Sequence, residues 1–243
     1  MIDIKKIQGI FPILYTFFNK NNSIDFKLME DQIYLIFQEN CHGIAALGLA
    51  TEVNKLSVKE KIKIIELIAN KSSLKIPKAI TIQSKNYKEY IKLIEVSKSN
   101  NIDWLILQPM IHKKTTDNDC YNFFKKIMPS TSGTLTGIQN AKEYIGVGLS
   151  TGHIKKLYKQ FDNFRAIKGE ASSFLMQKDL MELPKDLIVF NGRGGQEILD
   201  NLKIGCKGIV PCLDGADKFV RIFEYFKQKK FISAENEYKN ILP

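Results

Sequence analysis

Short apolar runs alternate with amphipathic stretches along the whole chain, and this alternation leaves few folds open. The runs predicted to be strands are Gly9–Phe18, Gly43–Gly48, Pro77–Gln83, Trp104–Pro109, Thr134–Asn140, Phe164–Glu170, Leu187–Gly192 and Gly208–Cys212. They are apolar at nearly every position, as expected of parallel strands covered on both faces. Between them the period changes. In Ser57–Asn70, Ile62, Ile65, Ile68 and Ala69 recur at helical spacing, and Ser57 with Glu60 forms a capping-box pattern. Lys88–Lys98 carries Tyr90, Ile91, Ile94 and Val96 opposite a lysine face, and Asp217–Phe226 repeats the pattern with Phe219, Val220, Ile222, Phe223 and Phe226. No Pro/Gly/Ser-rich linker interrupts the series. Eight strand–helix units in 243 residues fit a closed TIM (β/α)8 barrel, of which ~250 residues is typical, better than an open doubly wound sheet. No GxGxxG or phosphate loop opens the first unit, which counts further against a nucleotide-binding fold.

The composition excludes several function classes. A net charge of +10 invites a nucleic-acid reading, but the 33 lysines are spread along the predicted helices and only three arginines are present. We therefore expect no nucleic-acid partner. No segment is long and apolar enough to span a membrane, and Met1-Ile2-Asp3-Ile4-Lys5-Lys6 lacks the zones of a signal peptide. The expected location is cytoplasmic, with no membrane partner. Cys41, Cys120, Cys206 and Cys212 form no CxxC pair, and with His42, His112 and His153 they show no metal-ligand spacing. Reduced structural thiols and no metal are expected.

Barrel enzymes place their chemistry at the C-terminal ends of the strands and in the loops that follow. Those positions here are Gly48-Leu49-Ala50-Thr51-Glu52, Gln83, Pro109-Met110-Ile111-His112, Gln139-Asn140, Lys168, Asn191-Gly192-Arg193-Gly194-Gly195 and Pro211-Cys212. Lys168 stands out, because a lysine at a buried strand end is desolvated towards its neutral form. A neutral amine forms a Schiff base with a carbonyl substrate. Arg193, in a glycine-rich turn, can fork a substrate carboxylate; otherwise that turn is only a turn. His112 is the residue type best suited to replace a missing acid or base, though loop histidines are commonly solvated. Glu52 is either a site carboxylate or a helix cap, Asn140 either a substrate contact or a loop-closing residue. Tyr144 is either a phenol at the site or a packing aromatic.

With these motifs in order, the chain from about Ile7 onward resembles the dihydrodipicolinate synthase/N-acetylneuraminate lyase family of class I Schiff-base lyases. Phe11–Phe18 resembles the family's first strand, and Asp25-Phe26 its entry to the first helix. Gly48-Leu49-Ala50-Thr51-Glu52 falls where the family has Gly-Thr-Thr-Gly-Glu, and Leu56-Ser57 matches the Leu-Ser that follows. Ile167-Lys168 with Glu170-Ala171 matches its Ile-Lys-Glu-Ala-Ser motif with one glycine interposed. Asn191-Gly192 and Gly205-Cys206-Lys207-Gly208-Ile209-Val210 match the stretches around the seventh and eighth strands.

The resemblance implies imine chemistry at Lys168 on a small 2-oxo acid of pyruvate type, with no cofactor, because the lysine itself is the electrophilic catalyst. It implies a homo-oligomer, dimer or tetramer. Resemblance and strand-end position together give the expected substrate contacts as Leu49, Ala50, Thr51, Glu52, Asn140, Arg193 and His112, with Gln139 beside Lys168 in the catalytic set. The departures are equally specific. The family's two threonine hydroxyls fall on Leu49 and Ala50, where only backbone N–H groups remain to hold a carboxylate, and Thr51 offers a displaced hydroxyl. The relay tyrosine falls on Gln139, which is neither acid nor base at ordinary pH. The tyrosine donated between subunits falls on Ile111, and the arginine for aspartate semialdehyde on Tyr144. The expected activity is therefore a lyase or aldolase on a 2-oxo acid. The alternatives are a barrel that binds a small acid with little or no turnover, 4-hydroxy-tetrahydrodipicolinate synthase, or a sugar-acid dehydratase. The family also continues into a C-terminal helical bundle, so the expected division is a barrel over 1–230 and the start of that extension, reduced, over 231–243.

Overall fold

The computed structural model describes residues 6–71, 76–112 and 114–242; the chain start considered for a leader, Lys6 apart, lies outside them. Eight parallel strands form one sheet: β1 Gly9–Ile10, β2 Ile44–Ala46, β3 Lys78–Ile82, β4 Trp104–Leu107, β5 Leu135–Asn140, β6 Phe164–Gly169, β7 Ile188–Asn191 and β8 Gly208–Ile209. Their order is β1-β8-β7-β6-β5-β4-β3-β2. The two edge strands meet. Ile13 bridges both Ala45 and Cys212, and Leu14 N–H donates to the Ala45 carbonyl at 2.9 Å while Ala45 N–H donates to Pro12 at 3.0 Å. This curls the sheet into the expected TIM barrel.

The first and last strands are much shorter than the apolar runs predict. Gly9–Phe18 yields β1 and isolated bridges, and Gly208–Cys212 stops at Ile209. Pro12 and Pro211 explain this, because proline has no N–H to give the ladder. The run at Gly43–Gly48 ends early at Leu47, whose φ of 62° leaves the extended region.

Alternation along each strand sorts the side chains into two layers. Ile10, Ile44, Ile80, Ile82, Leu105, Leu107, Ile138, Ile167 and Ile209 face the helices and share one core with them. Phe11, Ile13, Ala45, Ala79, Trp104, Ile106, Ala166, Ile188, Phe190 and Val210 fill the barrel interior. There Phe11, Trp104 and Phe190 meet at ring-centroid distances of 5.1 to 6.1 Å and make an aromatic floor.

Among the described residues the helices are α1 Phe26–Gln38, α2 Val58–Asn70, α3 Tyr87–Ser99, α4 Asp117–Ile127, α5 Lys142–Ile145, α6 Thr151–Gln160, α7 Ser173–Glu182, α8 Ile198–Lys203, α9 Ala216–Lys227 and α10 Phe231–Lys239. Both halves of the Ser57–Glu60 capping box are present at α2. The buried face of α2 also takes in Lys61, whose ammonium donates to the Gln83 carbonyl at 2.9 Å and to its Oε1 at 3.0 Å. Burial pulls the Lys61 pKa down. Gln83 at the third strand end is thus an anchor for α2. Helix α10 lies on α9 and α8, held by Arg221 to Glu237 at 2.8 Å and Lys203 to Glu235 at 3.5 Å. No described helix is long and apolar enough to cross a membrane.

Candidate active site

The site rises from the barrel interior above the aromatic floor. On β4 the inward positions run Trp104 and Ile106, and Gln108 continues the series just past the strand end. On β5 Gln139 faces inward, and on β6 Lys168 follows Ala166. Lys168 pairs in register with Gln139 on one side and Phe190 on the other. Its side chain is only 5% exposed, yet it lines a cavity of about 240 Å3 at the C-terminal mouth. Leu49, Ala50, Tyr144, Glu170, Arg193 and Cys212 also line that cavity.

A polar chain crosses the mouth beneath it. The buried Tyr90 hydroxyl donates to the Gln108 carbonyl at 2.8 Å. The Gln108 amide donates to Gln139 Oε1 at 2.7 Å, and Gln139 Nε2 donates to Glu170 Oε1 at 3.2 Å. The same oxygen of Glu170 is paired with the Lys168 ammonium. The other oxygen accepts the backbone N–H of Arg193 at 3.0 Å. Gly192 makes this possible, because a Cβ there would lie 2.5 Å from Glu170 Oε1.

Glu170 belongs to the matched lysine motif, but the motif assigns it no place at the cavity. The signal is present in the sequence: residues two apart on a strand share a face, so Glu170 projects on the side of Lys168. Gly169 between them turns outward, where an added Cβ would strike Met176 of α7. Without the interposed glycine the glutamate would sit on the helix side.

Arg193 lines the same cavity as Lys168, with a φ of 52° in the turn after β7. Its Nη1 donates to Glu197 at 3.3 Å. Burial works against the cation, but the Tyr144 phenol and the Glu197 carboxylate outweigh it and hold the guanidinium pKa above its ordinary value. Leu49 and Ala50 present apolar side chains, and among the described residues their N–H groups find no hydrogen-bond acceptor. Such free N–H groups beside a cavity suit a carboxylate.

Four expected contacts are placed elsewhere, each for a visible reason. Thr51 is fully buried, its hydroxyl donating to the Leu14 carbonyl at 2.6 Å and its carbonyl accepting from Thr16, so it clasps the loop after β1. Glu52 turns away in a left-handed conformation and pairs with Lys55. Asn140 ties the loop after β5, giving 3.1 Å to the Leu149 carbonyl and taking 2.8 Å from its N–H. His112 is exposed, and its N–H is held by Thr115 at 2.7 Å. Ile111, in the family's intersubunit position, is exposed as well. Among the described residues no three His, Cys, Asp or Glu side chains are grouped to hold a metal.

The sequence profile of the dihydrodipicolinate synthetase family matches residues 6–239. The 4-hydroxy-tetrahydrodipicolinate synthase of Karelsulcia muelleri is 28% identical over 191 residues, 78% of this chain but 64% of that protein's length. The enzyme of the same name from Methanococcus aeolicus is 26% identical over 236 residues, 96% of this chain and 81% of the relative. The fold is that of a prophage protein of Escherichia coli K12 from the dihydrodipicolinic acid synthase family, solved in complex with pyruvate. Its TM-score is 0.88 at 16% identity, over 96% of this chain and 80% of that one. Profile, relatives and barrel agree with the motifs read along the chain, and the chain belongs to the dihydrodipicolinate synthetase family of carbon–carbon lyases.

Proposed function

We propose that this protein is a class I lyase or aldolase in which Lys168 forms an imine with the C2 carbonyl of a small 2-oxo acid of pyruvate type. The observation that carries the reading is the position of the Lys168 amine. It is buried at the end of β6, above the Phe11–Trp104–Phe190 floor, and it lines the cavity at the mouth. The groups around it divide the work. Arg193 and the free N–H groups of Leu49 and Ala50 suit the substrate carboxylate. Apolar Leu49 and Ala50 exclude water from the imine carbon. Once formed, the cationic imine draws electrons from the neighbouring carbon, so a C–C bond there can break or form without a cofactor.

The reading is tested by borohydride reduction in the presence of pyruvate. A covalent mass on Lys168, absent from Lys168→Ala, is the expected result. The absence of an adduct with pyruvate and with other 2-oxo acids would favour the second reading, a barrel that binds a small acid without turning it over. That alternative draws on the lack of a hydroxyl at Leu49, Ala50 and Gln139. The relatives' names point to 4-hydroxy-tetrahydrodipicolinate synthase as a narrower assignment. The same three residues, with Tyr144 in the aspartate semialdehyde arginine position, argue against it. Condensation of pyruvate with aspartate semialdehyde is expected to be very slow, and ordinary enzyme rates in a coupled assay would restore that assignment.

A further inference from the structure

Resting on the imine reading above, we infer that Glu170 is the proton carrier of the reaction, filling the role of the absent hydroxyl relay with a carboxylate on the lysine's own strand. Three independent features place it there. Glu170 is 7% exposed and lines the cavity, so it can meet a substrate bound to Lys168. One of its oxygens contacts the reacting amine directly. Its orientation is held from both sides by the Gln139 amide and the Arg193 N–H, over a Gly192 that leaves room for it.

Three other groups nearby are unsuited. Gln139 has no titrating proton. Tyr144 is turned to Arg193 and is half exposed. Tyr15, across the same mouth, donates to Asp214; burial and that carboxylate push its pKa well up, so it keeps its proton.

The steps balance with Glu170 as the only carrier. Lys168 passes a proton to Glu170, and the neutral amine adds its lone pair to C2. The carbinolamine oxygen then takes one proton from the nitrogen and one from Glu170, and leaves as water while the C2–N double bond forms. The imine is cationic and Glu170 is a carboxylate again. That carboxylate next removes a proton from C3. The C–H pair becomes the C2–C3 π bond, and the imine π pair moves to nitrogen, giving a neutral enamine. In the cleavage direction the Glu170 carboxylate takes the C4 hydroxyl proton as the C3–C4 bond breaks. The oxygen pair forms the aldehyde carbonyl and the C3–C4 pair the enamine, and Glu170 then delivers that proton to C3. C3 lies two bonds from the imine nitrogen, which occupies the place of the amine that Glu170 touches.

The test follows solvent deuterium entering the methyl group of pyruvate by proton NMR, alongside borohydride trapping. Wild-type protein is expected to do both. Glu170→Gln is expected to trap pyruvate on Lys168 on long incubation while methyl exchange falls about 100-fold or more, the usual contribution of a positioned acid–base group. In Glu170→Gly, added formate is expected to restore exchange, which a merely structural glutamate would not allow. If Glu170→Gln and Glu170→Gly do not fold, Glu170→Asp decides, since it keeps the charge opposite Lys168 and withdraws the carboxylate by one methylene. A tenfold fall in exchange with trapping intact supports the assignment. Exchange within about threefold of wild type in a folded variant overturns it and leaves the imine reading standing. Failure of wild-type protein to trap any 2-oxo acid removes both.

Discussion

The two mouths of this barrel differ in a way that cavity size does not convey. At the N-terminal ends of β4, β5 and β6 lies a cavity of about 510 Å3, twice the roughly 240 Å3 at the opposite mouth. Lys98, Asp103, Asp162, Asn163 and Arg165 line it, and they are largely spent on the fold. Asn163 donates to Thr131 and Thr136. Arg165 Nη1 donates to the carbonyls of Tyr158, Phe161 and Phe164. Lys98 donates to Ser130, and Asp103 accepts from Lys78 N–H. The smaller mouth is lined by Arg193, by Leu49 and Ala50, whose N–H groups find no acceptor among the described residues, and by the Lys168–Glu170 pair. The two faces thus divide as barrel faces do, polar groups being tied to neighbouring backbone at the N-terminal mouth and arranged around an open cavity at the C-terminal one.

The contrast is broken most directly by activity. Lys168→Ala is expected to lower pyruvate methyl exchange by at least about 1,000-fold, as loss of a covalent nucleophile does. Arg165→Met is expected to leave exchange by the folded protein within about twofold. Its cost is instead about 1–3 kcal/mol in urea unfolding, from carbonyls left unpaired. An activity loss at Arg165 matching that at Lys168 would mean the mouths are not functionally distinct.

A stability cycle sharpens the comparison. Lys168→Met leaves the Glu170 carboxylate buried without its cation and is expected to cost about 3–5 kcal/mol. Adding Glu170→Gln to that variant is expected to recover part of the loss, since no charge then stays buried. If the double variant is as unstable as the sum of the singles, the pair is not coupled as its contact implies.

Arg193 gives a smaller effect. Arg193→Ala is expected to weaken an acidic substrate by roughly tenfold or more, because hydrogen bonds to charged groups contribute about 1.5–3 kcal/mol. Trapping of pyruvate on Lys168 should remain possible, and Arg193→Lys should rescue only partly without the planar fork. An unchanged KM would make the turn after β7 structural only.

The smallest effect is expected at the N-terminal mouth. Burial raises the Asp103 carboxyl pKa above its ordinary value, against the pull of the Lys78 N–H. A raised carboxyl is favoured protonated in the fold, so that stability is present at low pH and lost as pH rises through the folded-state value. Asp103→Asn removes the charge and is expected to raise Tm at pH 7 by no more than about 2–4 °C, near 1 kcal/mol in a chain of this size. The gain should shrink on acidification and vanish below the ordinary value of 3.8. A gain that persisted there would place its origin outside Asp103 titration.

Parts of the site are legible in the sequence alone. The end of the sixth apolar run singles out Lys168, and the glycines around Arg193 mark a turn that reaches the same cavity. Thr51 and His112 show the limit. Both stand in loops that follow strands, but position along a chain does not say where a loop side chain points. The Leu14 carbonyl takes one hydroxyl, and solvent surrounds the other residue. Glu170 lies between the two cases, since its inward face follows from period two along β6, whereas its pairing with Lys168 does not.

The sequence by itself determined eight strand–helix units, a parallel sheet, the capping box at α2 and a lysine at a strand end, because periodicity and caps act over a few residues. Only the tertiary structure decided how the sheet closes, through Ile13 and Ala45. It alone decided that Gly192 makes room for Glu170 beside Lys168, and which polar groups remain free at each mouth. Those outcomes join residues tens of positions apart, and no local rule records the contacts that satisfy or spare a polar group until the barrel has formed.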